Sequence, residues 1–446
     1  MDRRKFLGSV AAGGFGLVAM RSARAEESGA PVLFPVPTNT GIKGNVVVVG
    51  GGMAGAAVAK YLRLWGGTGV SVTLIEANPK YTSNIMSNTV LTGQRQLSSL
   101  EYAYATLTGH YGVRLVNATV ASIDAAGKWV NLQGGGSIGY DRLVLAPGLA
   151  FDLMPGMSSL QEYETQVPHA WKAGPQTQKL RDLLVAMPAG RDVVMTIPKA
   201  PFRCPPGPYE RACVVADWLK RNKPGSRIIV LDANPYPIVE RDNFEHAFNA
   251  TYAGIVDYRP ESSVTQVASG ALKVTYTDGV GNATTLAAGV VNPIPPQRAP
   301  QLLNAAGLLS PDPTRPFAPV DVRSYESTMP GKAGIHVIGD ASLTTQPKAG
   351  HIGNQQAKTC ADAIVRLLAG KLPNPSPVTN SACYTPITST TATWLSAVYQ
   401  YDAATGTMKI PLQHNSGGAI AAPAPSADNY SDMLIWFATL MGETFS

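Results

Sequence analysis

The sequence predicts an α/β protein with two Rossmann-like dinucleotide-binding domains and a small C-terminal domain. Three observations carry that reading. The valine run Asn45-Val46-Val47-Val48-Val49 leads straight into a glycine-rich turn and a helical stretch. The same strand–turn–helix–strand order returns near residue 190. A second buried strand, ending in Gly339-Asp340, follows late in the chain. With 446 residues, 45% of them hydrophobic, the chain is long enough for two or three domains with real cores. Abundant Gly (44) and Pro (35) with only 15% charged residues describe a loop-rich folded protein rather than a disordered one.

Residues 1–25 read as a twin-arginine export signal. Arg3-Arg4-Lys5-Phe6-Leu7 opens it, an apolar stretch runs from Leu7 to Met20, and Ala23-Arg24-Ala25 offers the cleavage site. The stretch falls short of the roughly 20 apolar residues that cross a bilayer. The expected destination is the periplasm, and that route carries proteins already folded, often around a cofactor. The segment also holds +4 of the net +6, so the remainder carries no nucleic-acid footprint.

The first dinucleotide-binding part is expected over 26–165. Gly50-x-Gly52-x-Ala54-Gly55 follows the first strand, a helix runs to about Trp65, and a second strand spans Val70 to Glu76. Gly50 makes the turn, Gly52 lets a pyrophosphate approach the backbone, and Gly55 lets helix and strand pack closely. The phosphates then sit on the helix N-terminus. Glu76, 21 residues past Gly55, is placed to accept ribose hydroxyls. Asp141 to Gly148 is a further strand and tight turn, and it resembles the segment that closes the FAD domain in flavoproteins with two dinucleotide folds.

The second domain is expected over 166–285, with strands at Gly190–Pro198 and Ser226–Leu231 and a helix from about Tyr209 to Asn222 between them. Asp232 stands where a ribose acid would be. The turn, however, reads Lys199-Ala200-Pro201-Phe202-Arg203-Cys204-Pro205-Pro206-Gly207, bulky and proline-rich. No glycine triplet lets a pyrophosphate approach, which argues against NAD(P)H as the reductant. The first part resumes over 286–375, where Gly334 to Asp340 is a strand ending in Gly339-Asp340 and a helix follows from about Asn354 to Leu368. The acid of Gly339-Asp340 is expected beside the flavin's ribityl or phosphate region, Lys348 beside the reduced flavin. His336 reads as a packed strand residue. Residues 376–446 form the C-terminal region. Its run from Met433 to Met441 has one polar member and no basic face, so packing against the core or a partner is expected rather than stable membrane insertion.

Four cysteines remain: Cys204, Cys213, Cys360 and Cys383. None has the spacing of a zinc site, no metal is expected, and no Cys-x-x-Cys-His attaches a haem. Cys204 occupies the place of a nicotinamide loop, and a dithiol there suggests electrons from a sulfur compound. A structural disulfide is the competing reading. Cys213 and Cys383 are either free buried thiols or a second bridge.

Four segments in order resemble the flavoprotein subunit of flavocytochrome c sulfide dehydrogenase: Ala170-Trp171-Lys172-Ala173-Gly174, Cys204-Pro205-Pro206-Gly207-Pro208-Tyr209-Glu210-Arg211, Gln356-Ala357-Lys358-Thr359-Cys360-Ala361 and Cys383-Tyr384. The resemblance covers nearly the whole chain and implies the two-domain FAD fold of the disulfide reductases. It also implies a redox-active disulfide between Cys204 and Cys360. Cys360 is assigned to the flavin side because its helix follows the Gly339-Asp340 turn. Sulfide is the implied substrate, and a separate c-type cytochrome, in a heterodimer, takes the electrons. Glu210 is a candidate proton acceptor, with a helix N-terminal carboxylate as the bland alternative. Asn84 stands where family members with covalent FAD carry the linking cysteine, so non-covalent FAD is expected. Other functions consistent with the sequence are a quinone-linked sulfide oxidase, oxidation of another sulfur compound, and a non-catalytic flavin-binding relay subunit.

Overall fold

The structure, a computed structural model, describes residues 33–411 and 418–446. The expected export signal lies outside them. The first sheet has eight strands. Its centre is the parallel run Arg114–Val116, Val70–Ile75, Gly44–Val49, Arg142–Leu145 and Ile335–Val337. Gly44–Val49 and Arg142–Leu145 sit mid-sheet, with both faces covered, which is why they read as continuous apolar runs. Glu326–Ser327, Ala318–Asp321 and Ser342–Leu343 extend the sheet on one side. The Ile335–Val337 strand joins from beyond the second sheet, so this sheet is built from discontinuous stretches of chain.

The helix Met53–Gly66 leaves the glycine turn and packs on Gly350–Leu368 through small residues: Ala56, Ala57, Ala357 and Ala361 share one core. The second sheet is four parallel strands in the order Val256–Arg259, Ile228–Asp232, Val193–Ile197, Val290–Pro293. Its last strand lies beyond the expected boundary at 285. A three-stranded antiparallel meander, Ser263–Ala268, Lys273–Thr277 and Ala283–Ala287, is inserted before it and extends the domain.

The C-terminal region is a long hairpin, Val378–Pro386 against Ala392–Asp402, followed by the helix Ala427–Phe445. Its apolar face turns inward: Met433, Phe437, Leu440, Met441 and Phe445 join the core of the first unit. Phe445 stacks on Tyr81 (5.1 Å) and Tyr102 (5.3 Å). Glu443 accepts from Asn354 Nδ2 at 2.5 Å and pairs with Lys358 at 3.2 Å, and Tyr61 donates to it as well. Among the described residues no helix is long and apolar enough to cross a membrane.

Phe445→Ala is expected to cost about 3 kcal/mol, because it deletes a buried ring and leaves a gap between two tyrosines. Urea unfolding followed by circular dichroism checks this, and an unchanged midpoint contradicts the packing described.

Candidate active site

The glycine turn closes one end of the site. A Cβ on Gly50 (φ +97°) would lie 2.3 Å from Ala146 O, and one on Gly55 would lie 1.7 Å from Gly50 O. Neither position admits a side chain. Gly51 N–H donates to Glu76 Oε2 at 2.7 Å, and Asn78 donates to Glu76 Oε1 at 2.8 Å. Glu76 therefore ties the turn to the end of the second strand. At Gly52 a Cβ would meet only Tyr81, at 3.7 Å, so this face of the turn is open. The helix Met53–Gly66 begins here without a side-chain cap. An open glycine face on a free helix N-terminus fits a phosphate-bearing cofactor.

One cavity runs from this turn across the molecule. Gly52, Ala54, Asn84, Gly148, Gly339 and Asp340 line it, together with Arg203, Cys204, Glu210 and Cys383. The residues expected to hold FAD thus converge with the cysteine loop. Gly50, Gly55 and Glu76 shape the turn behind it. Asn84 Oδ1 accepts Ala173 N–H at 2.7 Å, which leaves the amide nitrogen as its remaining donor.

Two expectations are corrected. Cys360 does not reach the cavity. It lies fully buried in the core of the first unit, where Glu326 and Arg142 are the charges that act on it. The helix meets the cavity at Gly350, His351 and Gly353, and Cys360 is two turns further on, about 10 Å along the axis. Lys348 also turns away. Its Nζ donates to Asp340 O (2.7 Å) and Ser342 O (3.1 Å) and lies 3.5 Å from the centre of the Phe317 ring. Burial lowers it to about 8. What Lys348 gives the site is its carbonyl, which accepts Cys204 N–H at 2.7 Å.

The cysteine that shares the cavity with Cys204 is Cys383, on the Val378–Pro386 strand, close enough to act on it electrostatically; both are free thiols in this structure. Cys204 sits in the left-handed region (φ +58°) on its proline-rich loop. Arg203 beside it pairs with Asp340 at 3.6 Å, and its N–H donates to Gln297 Oε1 at 2.8 Å. His351 anchors the other side: its Nδ1 accepts Ala382 N–H at 2.9 Å, next to Cys383. Trp436 and Tyr384 complete this wall, with ring centroids 5.5 Å apart. Arg203, His351 and Trp436 were not singled out in the sequence, because no local pattern marks them. Cys383 was visible in the Cys383-Tyr384 segment and as a free thiol or a bridge with Cys213, but not as the partner of Cys204. Cys213 is buried in the second core.

The electrostatics are those of an apolar pocket. Burial pushes the Cys204 thiol well up, and the nearby Cys383 and Glu210 add to this. Burial also pushes Cys383 up to about 12, with Glu240 and Glu210 contributing. Glu210 is raised to about 7, chiefly by burial, although Asn88 Nδ2 donates to it at 2.8 Å. Arg211 is fully enclosed. It donates to Asn88 Oδ1, His169 O, Asn292 Oδ1 and Ala170 O and lies over Trp171 at 4.7 Å. His336 is a buried strand residue bonded to Ser324 O, away from the cavity.

In the second domain, Asp232 is wholly buried. Tyr209 and Tyr258 hydroxyls donate to its Oδ2 at 2.9 and 2.8 Å, and Asn234 donates twice to Oδ1. The carboxylate that would read a nicotinamide ribose is spent inside the protein.

Residues 177–295 match the family described as sulfide dehydrogenase (flavocytochrome c) flavoprotein chain, central. Residues 44–189 match the pyridine nucleotide-disulphide oxidoreductases. The chain is 26% identical to a sulfide-quinone reductase of Aquifex aeolicus, over 72% of this chain and 76% of that protein. A probable ferredoxin reductase of Castellaniella defragrans is 37% identical, but over only 23% of this chain and 26% of its own length. Among solved structures, the sulfide:quinone oxidoreductase of Aquifex aeolicus superposes with a TM-score of 0.71 at 20% identity, over 90% of this chain and 92% of that one. That likeness is one of fold.

Two outcomes follow from the geometry. Glu210 has a folded-state value above its ordinary 4.5, so the native state holds an extra proton between about 4.5 and 7. Its contribution therefore destabilises progressively as pH rises through that window and is absent below it. Glu210→Gln should resemble the parent near pH 4.5 and exceed it in thermal stability by pH 8. A constant difference across that range contradicts the assignment. Second, NADH should leave the bound flavin oxidised in an anaerobic titration, since Asp232 is sealed; bleaching by NADH counts against this.

Proposed function

We propose that this chain, a flavoprotein of the flavocytochrome c sulfide dehydrogenase type, oxidises sulfide through a Cys204–Cys383 pair and FAD and passes the electrons to a c-type cytochrome. It is a flavin-dependent oxidoreductase related to sulfide-quinone reductase. The observation that carries the finer reading is the meeting of two cysteines from distant segments in the cavity lined by the flavin-binding turns.

In the oxidised protein, hydrogen sulfide attacks one sulfur of the Cys204–Cys383 bond. The S–S bond breaks, a new one forms to the substrate sulfur, and a cysteine persulfide and a cysteine thiol result. Glu210, poised near neutrality, takes the substrate proton and returns it to the leaving sulfur, which this apolar pocket does not tolerate as a thiolate. A second hydrogen sulfide molecule removes the outer sulfur as hydrogen disulfide and leaves two thiols. Their return to the disulfide releases two electrons and two protons. FAD, when bound, supplies a two-electron acceptor that can release electrons singly. Gly52 and the Met53–Gly66 helix N-terminus would hold its pyrophosphate, and Gly148, Gly339 and Asn84 would line its path. With Asn84 at the covalent position, the FAD is bound without a thioether.

The proposal includes export of the holoprotein by the twin-arginine route to an oxidising periplasm, and a heterodimer with the cytochrome. A quinone acceptor is the second reading, favoured by the Aquifex aeolicus relative. Against it, the C-terminal helix spends its apolar face on the core.

Anaerobic sulfide titration of the purified holoprotein tests the sulfur path. Wild type and Cys360→Ser should bleach alike, and Cys204→Ser and Cys383→Ser should bleach at least ~100-fold more slowly. Bleaching that survives loss of Cys383 sinks the proposal. Turnover with horse-heart cytochrome c, set against decylubiquinone, separates the two acceptors.

A further inference from the structure

Cys204 and Cys383 lie on elements of different domains. Cys204 is on a loop of the second domain, and Cys383 is on the C-terminal hairpin. Their separation is therefore set by how that hairpin docks. On one side His351 holds the strand through Ala382. On the other side stands Glu240, at the turn before the helix Arg241–His246.

Glu240 is only 7% exposed and adopts φ +49°, a left-handed conformation costly for a residue with a side chain. Its two oxygens take two threonine hydroxyls: Thr385 at 3.2 Å on Oε2 and Thr393 at 2.8 Å on Oε1. Both threonines are fully buried. They are direct cross-strand partners, and that rung lies two residues beyond the Cys383–Leu395 rung. Side chains alternate along a strand, so Thr385 shares a face with Cys383. Asn243, on the helix that follows, donates to Thr393 Oγ1 at 3.0 Å and to Ala422 O at 2.9 Å, next to the short strand Ile420–Ala421 that pairs with Leu395–Ser396 of the hairpin. The titratable groups that feel Glu240 are Glu210 and Cys213, on the Gly207–Asn222 helix, and Cys383 itself. Burial raises Glu240 to about 7, so this bridge is made at an energetic cost. Such a carboxylate, strained and buried near Cys383, is explained by a requirement for position.

We propose that Glu240 is a positioning residue for the thiol pair: its carboxylate fixes the Thr385–Thr393 rung and so holds Cys383 within reach of Cys204. This rests on the reading of Cys204 and Cys383 as a redox pair. Closing that bond intramolecularly depends on the effective concentration of one thiol at the other, which loosening of the rung lowers.

The test is a thiol–disulfide equilibrium, independent of sulfide turnover. The holoprotein is equilibrated in mixtures of reduced and oxidised glutathione, alkylated, and scored for the Cys204–Cys383 bond by mass spectrometry. Each closure converts one oxidised glutathione into two reduced molecules and takes two electrons and two protons from the protein. Glu240→Ala should lower the closure constant at least about tenfold, and Glu240→Gln, which keeps one acceptor oxygen, should recover part of that loss. Flavin absorbance and far-ultraviolet circular dichroism report folding. If Glu240→Ala fails to fold, Thr385→Val carries the test, with an expected loss of about threefold. Equal constants in wild type and these variants overturn the inference alone. No bond in wild type at any glutathione ratio overturns the redox pair, and this inference with it.

Discussion

The candidate site depends on how the 199–207 loop is pinned to the half of the molecule that carries the glycine turn. In an ordinary Rossmann turn the backbone at this point must stay open for a pyrophosphate. Here the turn is bulky and proline-rich and is fastened elsewhere: Cys204 N–H to the Lys348 carbonyl at 2.7 Å, and Arg203 to Asp340 at 3.6 Å. Both partners belong to the segment that carries the second flavin signature. The bonds that register the two halves are thus the same ones that aim Cys204 into the cavity. Moving the loop would disturb both.

The surroundings favour neutral species. Two thiols and two carboxyls, Glu210 and Glu240, sit where solvent cannot stabilise charge, and each is shifted toward its protonated form. A disulfide carries no charge and loses nothing in such a place, whereas a thiolate does. The pocket therefore differs from the electropositive, solvent-open settings in which cysteines act as free nucleophiles. Glu210, raised to about 7 by burial, is the carboxyl in this pocket that can exchange a proton near neutrality.

Much of this was legible in the sequence. The Gly50–Gly55 turn and Gly339-Asp340 have mechanical requirements that few residues meet, so each could be placed from its letters. The loss of the nicotinamide turn was equally plain in Lys199–Gly207. What failed were inferences from proximity along the chain. Cys360 follows Gly339-Asp340 closely, yet helical rise carries it down into the core while Gly350 stays at the cavity. Lys348 sits between those two and folds back onto Phe317. Cys383 arrives from a hairpin of another domain, and such long-range meetings leave no periodic trace. The boundary at 285 failed for a related reason, since an inserted meander postpones the closing strand Val290–Pro293.

The burial of Asp232 has a consequence for any attempt to seat a dinucleotide in the second domain. Two tyrosines and an asparagine already hold its carboxylate, and those bonds are part of the domain's own stability. A dinucleotide introduced there would have to replace secured internal bonds, so single substitutions that free the carboxylate first yield a less stable protein. The second domain keeps the form of a nucleotide carrier, while its polar interior serves the fold.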